Sequence, residues 1–175
     1  KWIALPSTEF EVDGLPWYKA NDSQFIRLPV SRKATYPKAV WDLAQDSTGG
    51  RIRFRTDSTA LAVRLEYPHP PDMPNMHAFG QSGVSLYVGK VYWATAIADK
   101  TAKRGKTFEY VYFNFGDAPR KEREITLYLP LYLGVKVLAI GVDEAAVIKP
   151  PLPFALPKPV VFYGTSITQG CCASH

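Results

Sequence analysis

No apolar run in the 175-residue chain approaches the ~20 residues a helix needs to cross a bilayer, and the opening residues Lys1, Trp2 and Ile3 carry no signal-peptide core. A membrane is therefore not an expected partner. An initiating Met is also missing, so the expectation is that an N-terminal piece has been removed, whether a cleaved signal or a trimmed end. Secretion is permitted, and a periplasmic or extracellular location is favoured. Cysteine is scarce: the two present, Cys171 and Cys172, are adjacent, and neighbouring cysteines rarely bridge because the geometry is strained. They make no disulfide framework. With the one nearby histidine, His175, they fall short of the four spaced ligands of a zinc site. No metal and no organic cofactor is implied. The chain also lacks G-x-G-x-x-G and any glycine run followed by lysine, which excludes the dinucleotide and P-loop fingerprints. It shows no internal repeat and no helical period longer than two turns across 10–142.

What is present is the composition of a globular domain. With 46% hydrophobic and 21% charged residues, the chain has enough apolar surface for one proper core, and disorder is not expected. The net charge of +5 is modest and spread along the sequence. Arg51, Arg53 and Arg55 alternate with Ile52 and Phe54, the pattern of a half-buried strand with a solvated face, so nucleic acid is not an expected partner.

Period-two runs dominate the chain. Ile52/Phe54, Leu61/Val63/Leu65, Val84/Leu86/Val88, Phe108/Tyr110/Tyr112, Ile125/Leu127/Leu129 and Val135/Val137/Ala139 each read as one buried strand face. Short strands separated by turn signals such as Ser47-Thr48-Gly49-Gly50 predict a mainly β fold, an antiparallel β-sandwich of jelly-roll type. The character changes at 149–159, where five prolines in eleven residues can continue neither ladder nor helix and favour an extended, semi-rigid spacer. The expected organisation is a sandwich over 1–148, a Pro-rich linker over 149–159, and over 160–175 the first strand and turn of an incomplete α/β domain. Residues 160–163 read as a strand of the kind buried on both faces in a parallel sheet.

After that run, Gly164-Thr165-Ser166-Ile167-Thr168 puts a serine on a strand-to-helix turn, where open α/β folds carry their chemistry. The second glycine of G-x-S-x-G is absent, so this is not the nucleophile elbow of α/β-hydrolases. The segment 162–170 with Cys172, Ala173 and Ser174 resembles the nucleophile block of SGNH (GDSL-type) esterases, and more closely the two-domain branch whose N-terminal sandwich bears G-x-D-L-Y. Here that signature reads Gly83-Val84-Ser85-Leu86-Tyr87, with Ser85 at the family's Asp. Further matches, in order, are Leu15-Pro16-Trp17-Tyr18, Arg53 to Ser58, Met73-Pro74-Asn75-Met76, and the stretch from Leu127 to Val135. The resemblance implies a flavodoxin-like domain after the linker, Ser166 as catalytic nucleophile with its own backbone N–H in the oxyanion hole, and an Asp and His base block nearer the C-terminus. Nine residues follow Ser166, so the base is expected outside this sequence and this chain alone is expected to be inactive. The competing reading of Ser166 is an ordinary helix N-cap, for which serine is also favoured.

Two other features stand out. The Pro-rich loop from Tyr67 to Gly80 carries His69, Asp72, Asn75 and His77. It reads either as a binding loop, with Asn75 and His77 on a wall of the catalytic cleft, or as a stiffened connection. The tryptophans Trp17 and Trp93 stand next to Tyr18 and Tyr92 on alternating faces, which leaves a sugar-stacking platform open against the more ordinary core role. The favoured function is the N-terminal portion of a serine esterase that removes acetyl or other short acyl groups from a small molecule or carbohydrate through an acyl-enzyme. The alternatives are a non-catalytic carbohydrate-binding sandwich, and an assembly module whose uncovered apolar strand pairs with another chain, which leaves a homo-oligomer open.

Overall fold

In the computed structural model, residues 1–156 and 158–170 are described. The apolar positions of the alternating runs face one another across two antiparallel sheets. One sheet runs β1 (Trp2–Ala4), β9 (Lys136–Val142), β4 (Ala60–Glu66), β7 (Thr107–Asn114). The other runs β3 (Arg51–Thr56), β8 (Arg123–Tyr128), β5 (Val84–Val88), β6 (Val91–Ala96), and the outer edge of β3 is shared by β2 (Glu11–Asp13) and β10 (Ile148–Lys149). Strands consecutive in sequence alternate between the sheets except at β2–β3 and at the β5–β6 hairpin, each of which pairs within one sheet, and the alternation of the rest is the order of a jelly roll. Among the described residues, helix is confined to a 3-10 segment (Val30–Thr35), α1 (Lys38–Leu43), α2 (Ala78–Ser82) and α3 (Ser166–Gln169), and none is long and apolar enough to cross a membrane.

The core lies between the sheets. Ile52, Phe54, Leu61, Val63, Leu65, Val84, Leu86, Ile125, Leu127 and Ile140 are completely enclosed, and each such side chain contributes about 1.5–3 kcal/mol of transfer free energy. Every strand expected from alternation is present. Four others were not legible. β1, β2 and β10 are two or three residues long, too short to show a period, and β6 carries apolar residues on both faces, which masks its alternation.

The arginine row of β3 differs from expectation. It does point away from the core, yet Arg53 is only 5% exposed. Its guanidinium is 3.3 Å from Asp13, 3.4 Å from Glu124 and 3.7 Å from Glu11, donates to the Leu152 carbonyl at 2.5 Å, and lies 3.9 Å from the Phe154 ring centre. Arg55 donates to the Pro150 carbonyl at 2.8 Å. The Pro-rich segment is therefore strapped across the outside of β3. Proline has no N–H to offer a ladder, but the carbonyls of the segment remain acceptors, and Arg55 uses that of Pro150 while Arg53 uses that of Leu152.

Residues 160–163 were expected to form a strand and do not. They run as exposed irregular chain, with Val161 82% and Tyr163 100% exposed. The physical reason is that a strand is defined by its ladder, and among the described residues no neighbour pairs with this segment.

Asp143 ties two sheet ends together. It accepts from the Ser58 hydroxyl and the Thr59 N–H, both at 2.8 Å, from Ala145 N–H at 3.1 Å, and from Arg120. These bonds, the one to Arg120 first, hold its carboxyl well below the usual aspartate range. A depressed folded-state pKa means stability present above the unfolded value of about 3.9 and lost as pH falls through the folded value. Asp143→Asn is expected to lower the denaturant midpoint at pH 7 and to flatten the stability decline below about pH 4. Urea titrations at pH 7 and in that acid range check both, and parallel wild-type and variant curves would contradict the assignment.

Candidate functional site

Ser166 is the first residue of α3. Thr165 is the N-cap, in extended conformation and without a side-chain capping bond, so Ser166 does not serve as the cap. Its side chain is exposed. The turn before it needs a glycine for a steric reason: a Cβ on Gly164 would stand 2.1 Å from the Thr168 hydroxyl, and Thr168 folds back over that position. The first N–H groups of any helix lack an intrahelical acceptor, and here those belong to Ser166 and its immediate successors. Such donors stabilise the oxyanion of acyl transfer when aimed at the carbonyl oxygen where the charge develops.

The turn is docked on the sandwich. The Tyr132 hydroxyl donates to the Ser166 carbonyl at 2.8 Å. Gln169, three residues on, donates its side-chain amide to the Leu131 carbonyl at 2.8 Å and to the Asp46 carboxylate at 3.2 Å. Asp46 lies beside Arg27, whose Nε donates to the Asp46 backbone carbonyl at 3.1 Å. Burial raises the Asp46 carboxyl above the usual aspartate range, an effect that Gln169, Arg27 and His69 oppose. An open groove of about 1930 Å³ runs alongside, lined by Phe10, Leu15, Tyr18, Thr48, Thr165 and Gln169 among others. Ser166 is not among its lining residues.

The Pro-rich loop is tied to the same place. Gln81, 3% exposed, accepts from Met73 N–H at 2.9 Å and donates to the carbonyls of Met73 and Met76. Its own backbone carbonyl accepts from Tyr132 N–H at 3.1 Å. The loop, the 131–132 connection and the Ser166 turn thus form one bonded sequence. His77 is the N-cap of α2 and its ring accepts from Phe79 N–H at 3.4 Å, while Asn75 is exposed on the loop. His69 Nδ1 lies 2.7 Å from the Pro70 carbonyl and 3.7 Å from Asp72. Among the described residues, no hydrogen bond joins the Ser166 hydroxyl to His69 or His77.

Trp17 and Trp93 are 42% and 43% exposed. Trp17 follows β2 and Trp93 lies on β6, at opposite edges of one sheet, so they do not share a platform. Trp93 packs edge-on against Phe113 and Phe115, each 5.8 Å away, and closes the gap between β6 and β7. Ser85 is buried on the outward face of β5, its hydroxyl 2.9 Å from that of Thr95, which is 3.0 Å from the Tyr92 hydroxyl. A Cβ on Gly83 would stand 2.4 Å from the Phe79 carbonyl, so the signature glycine is required where α2 meets β5. Cys171, Cys172, Ala173, Ser174 and His175 lie outside the described residues. Asp46, Gln81 and Tyr132 were not singled out from sequence as site residues: Asp46 lies in the connection before β3, Gln81 in α2 and Tyr132 in the 129–135 connection, and although Tyr132 falls in the stretch from Leu127 to Val135 that resembles the family, nothing local marks the contacts the three make.

Residues 1–148 match the family described as GxDLY: N-terminus of Esterase_SGNH_hydro-type. Among solved structures, the chain is similar to a protein titled as a GDSL-like lipase from Bacteroides ovatus ATCC 8483, with 27% identity and a TM-score of 0.70 over 87% of this chain and 44% of that one. It is also similar to the salicylyl-acyltransferase SsfX3 from a tetracycline biosynthetic pathway, with 17% identity and a TM-score of 0.67 over 88% of this chain and 42% of that one; at that identity the likeness is one of fold. The chain therefore spans less than half the length of either. No curated protein matches the sequence significantly.

Gln81 carries a prediction of its own. Gln81→Leu leaves the Met73 and Met76 backbone groups without their partners and is expected to cost about 1–3 kcal/mol. Thermal unfolding together with hydrogen exchange across 72–77 measures it; unchanged exchange in that loop would show that Gln81 does not hold it.

Proposed function

The chain belongs to the GxDLY family, the N-terminal part of SGNH-hydrolase-type esterases, and on that premise we propose that Ser166 is the nucleophile of an ester hydrolase acting on acetyl or other short acyl esters. The observation that carries the reading is the exposed Ser166 at the head of a short helix bonded to the sandwich through Tyr132. The serine oxygen attacks the ester carbonyl carbon while a base takes the hydroxyl proton. The oxyanion is met by the Ser166 backbone N–H. Collapse expels the alcohol, which takes up the proton from the base, and leaves an acyl-serine that water hydrolyses to the free acid.

A serine hydroxyl is a weak nucleophile without its base, and neither His69 nor His77 hydrogen-bonds to it. On the family premise, the base and its orienting acid are assigned to a C-terminal domain outside these 175 residues, and the 175-residue chain alone is read as inactive. The groove beside Thr165 and Gln169 is large compared with an acetyl group, which favours placing a bulky alcohol, such as a sugar, on the sandwich side. For the rival reading, a non-catalytic sugar-binding sandwich, the separation of Trp17 and Trp93 removes a shared platform and leaves each exposed ring to act alone.

The expected outcome is that the 175-residue chain shows no measurable turnover of p-nitrophenyl acetate, that a chain extended through the C-terminal domain does, and that Ser166→Ala in the longer chain lowers kcat by a factor of at least about 10⁴. Turnover by the short chain that survives Ser166→Ala would locate the chemistry elsewhere. Failure of the extended chain on every short-chain ester would favour the sugar-binding reading.

A further inference from the structure

α3 cannot hold itself in place. It spans four residues, closed by Gln169 N–H to the Thr165 carbonyl and Gly170 N–H to the Ile167 carbonyl, each 3.1 Å, and isolated helices shorter than about 12 residues are marginal in water. The chain leading into it, 160–165, is exposed. The direction of the Ser166 side chain therefore depends on what α3 rests against.

It rests on a socket that is itself held by hydrogen bonds. Leu131 and Tyr132 sit between Leu129 and Leu133, both 3% exposed. The Leu131 carbonyl accepts from the Thr48 hydroxyl as well as from Gln169, and Tyr132 N–H is held by the Gln81 carbonyl. Asp46 comes from a different connection, the one before β3, and reaches the same Gln169 amide. The anchor at Ser166 is its main-chain carbonyl and the anchors at Gln169 are made by its side chain, so the helix is held at two separate points. One anchor alone would leave α3 free to swing about it, whereas the Tyr132 bond to the main chain and the Asp46 and Leu131 bonds to Gln169 fix both its height and its rotation.

We propose that Tyr132 and Asp46 are positioning residues for the nucleophile: the sandwich, through these two side chains and the Leu131 carbonyl, sets the rotation of α3 and hence the aim of the Ser166 hydroxyl. The proposal rests on Ser166 being the nucleophile. A rotation of about 10–20° or a shift of about 0.5 Å is already enough to spoil a catalytic constellation, and a misplacement of about 1 Å costs on the order of a hundredfold in rate. On this account the sandwich is a working part of the nucleophile's support and not merely an appended domain.

The test uses Tyr132→Phe, which removes one hydroxyl and keeps the ring, Asp46→Ala, which removes the carboxylate, and Asp46→Asn, which keeps an acceptor oxygen for Gln169. In the chain extended through the C-terminal domain, Tyr132→Phe and Asp46→Ala are expected to lower kcat by about tenfold to a hundredfold with KM and the unfolding midpoint little changed, and Asp46→Asn to recover most of the Asp46→Ala loss. In the 175-residue chain, Tyr132→Phe and Asp46→Ala are expected to speed amide exchange at Gln169 and Gly170. Unaltered exchange would overturn the docking, and faster exchange with unaltered kcat would overturn the positioning role. An extended wild-type chain inactive on every ester would defeat the reading of Ser166 as nucleophile, while the exchange measurement would still decide whether the sandwich holds the helix.

Discussion

The path of the chain depends on the charge that β3 carries on its outward face. Arg53 has its guanidinium almost fully enclosed, and a buried unpaired cation costs several kcal/mol. Three carboxylates, Glu11, Asp13 and Glu124, surround it, and the Leu152 carbonyl completes its partners. The first two belong to β2 and the third to β8, so satisfying one arginine fixes an edge strand, a central strand and the start of the linker together. Phe154 then covers the guanidinium face, a contact of the cation–π kind. The linker thus leaves the sandwich along a set course.

From that course the chain returns to the sandwich at a second place. The Ser166 turn meets the 131–132 connection and Asp46, and through Gln81 it is bonded to the Pro-rich loop. Two features that look unrelated in the sequence, a proline-rich loop with two histidines and a glycine–serine turn about ninety residues later, are parts of one site region. The histidines do not approach the serine hydroxyl; the loop's contribution is to brace the connection on which the serine helix rests. Ser85, at the position where the family signature has Asp, lies in a hydroxyl chain with Thr95 and Tyr92 on the outer face of β5, so this position carries no charge here.

How much of this was legible in the sequence follows from which forces are local. Alternation reports burial one strand at a time, and Ile52/Phe54, Leu61/Val63/Leu65 and Ile125/Leu127 revealed their strands because one face is packed and the other is not. The glycine–serine turn was legible because its steric demands are local: Gly164 must make room for Thr168. Strand identity at 160–163 was not decidable in the same way, since β-branched and aromatic residues supply propensity but the ladder must come from another segment. Arg53 reads as solvated because the residues that bury it lie 40 or more positions away or in the linker. The roles of Tyr132 and Asp46 were hidden for the same reason, although Tyr132 lies in a stretch that resembles the family; what they do depends on contacts between connections, and no spacing rule encodes such a contact.

The central claim is that Ser166 is the reacting atom's carrier in an SGNH-type hydrolase. The most direct measurement is covalent trapping: the chain extended through the C-terminal domain is treated with a fluorophosphonate, which phosphonylates an activated serine oxygen with loss of fluoride, and the adduct is located by peptide mass spectrometry. The account predicts one stoichiometric adduct on Ser166, absent in Ser166→Ala and absent in the 175-residue chain. An adduct on a different serine of the extended chain, with Ser166 left unmodified, would contradict it.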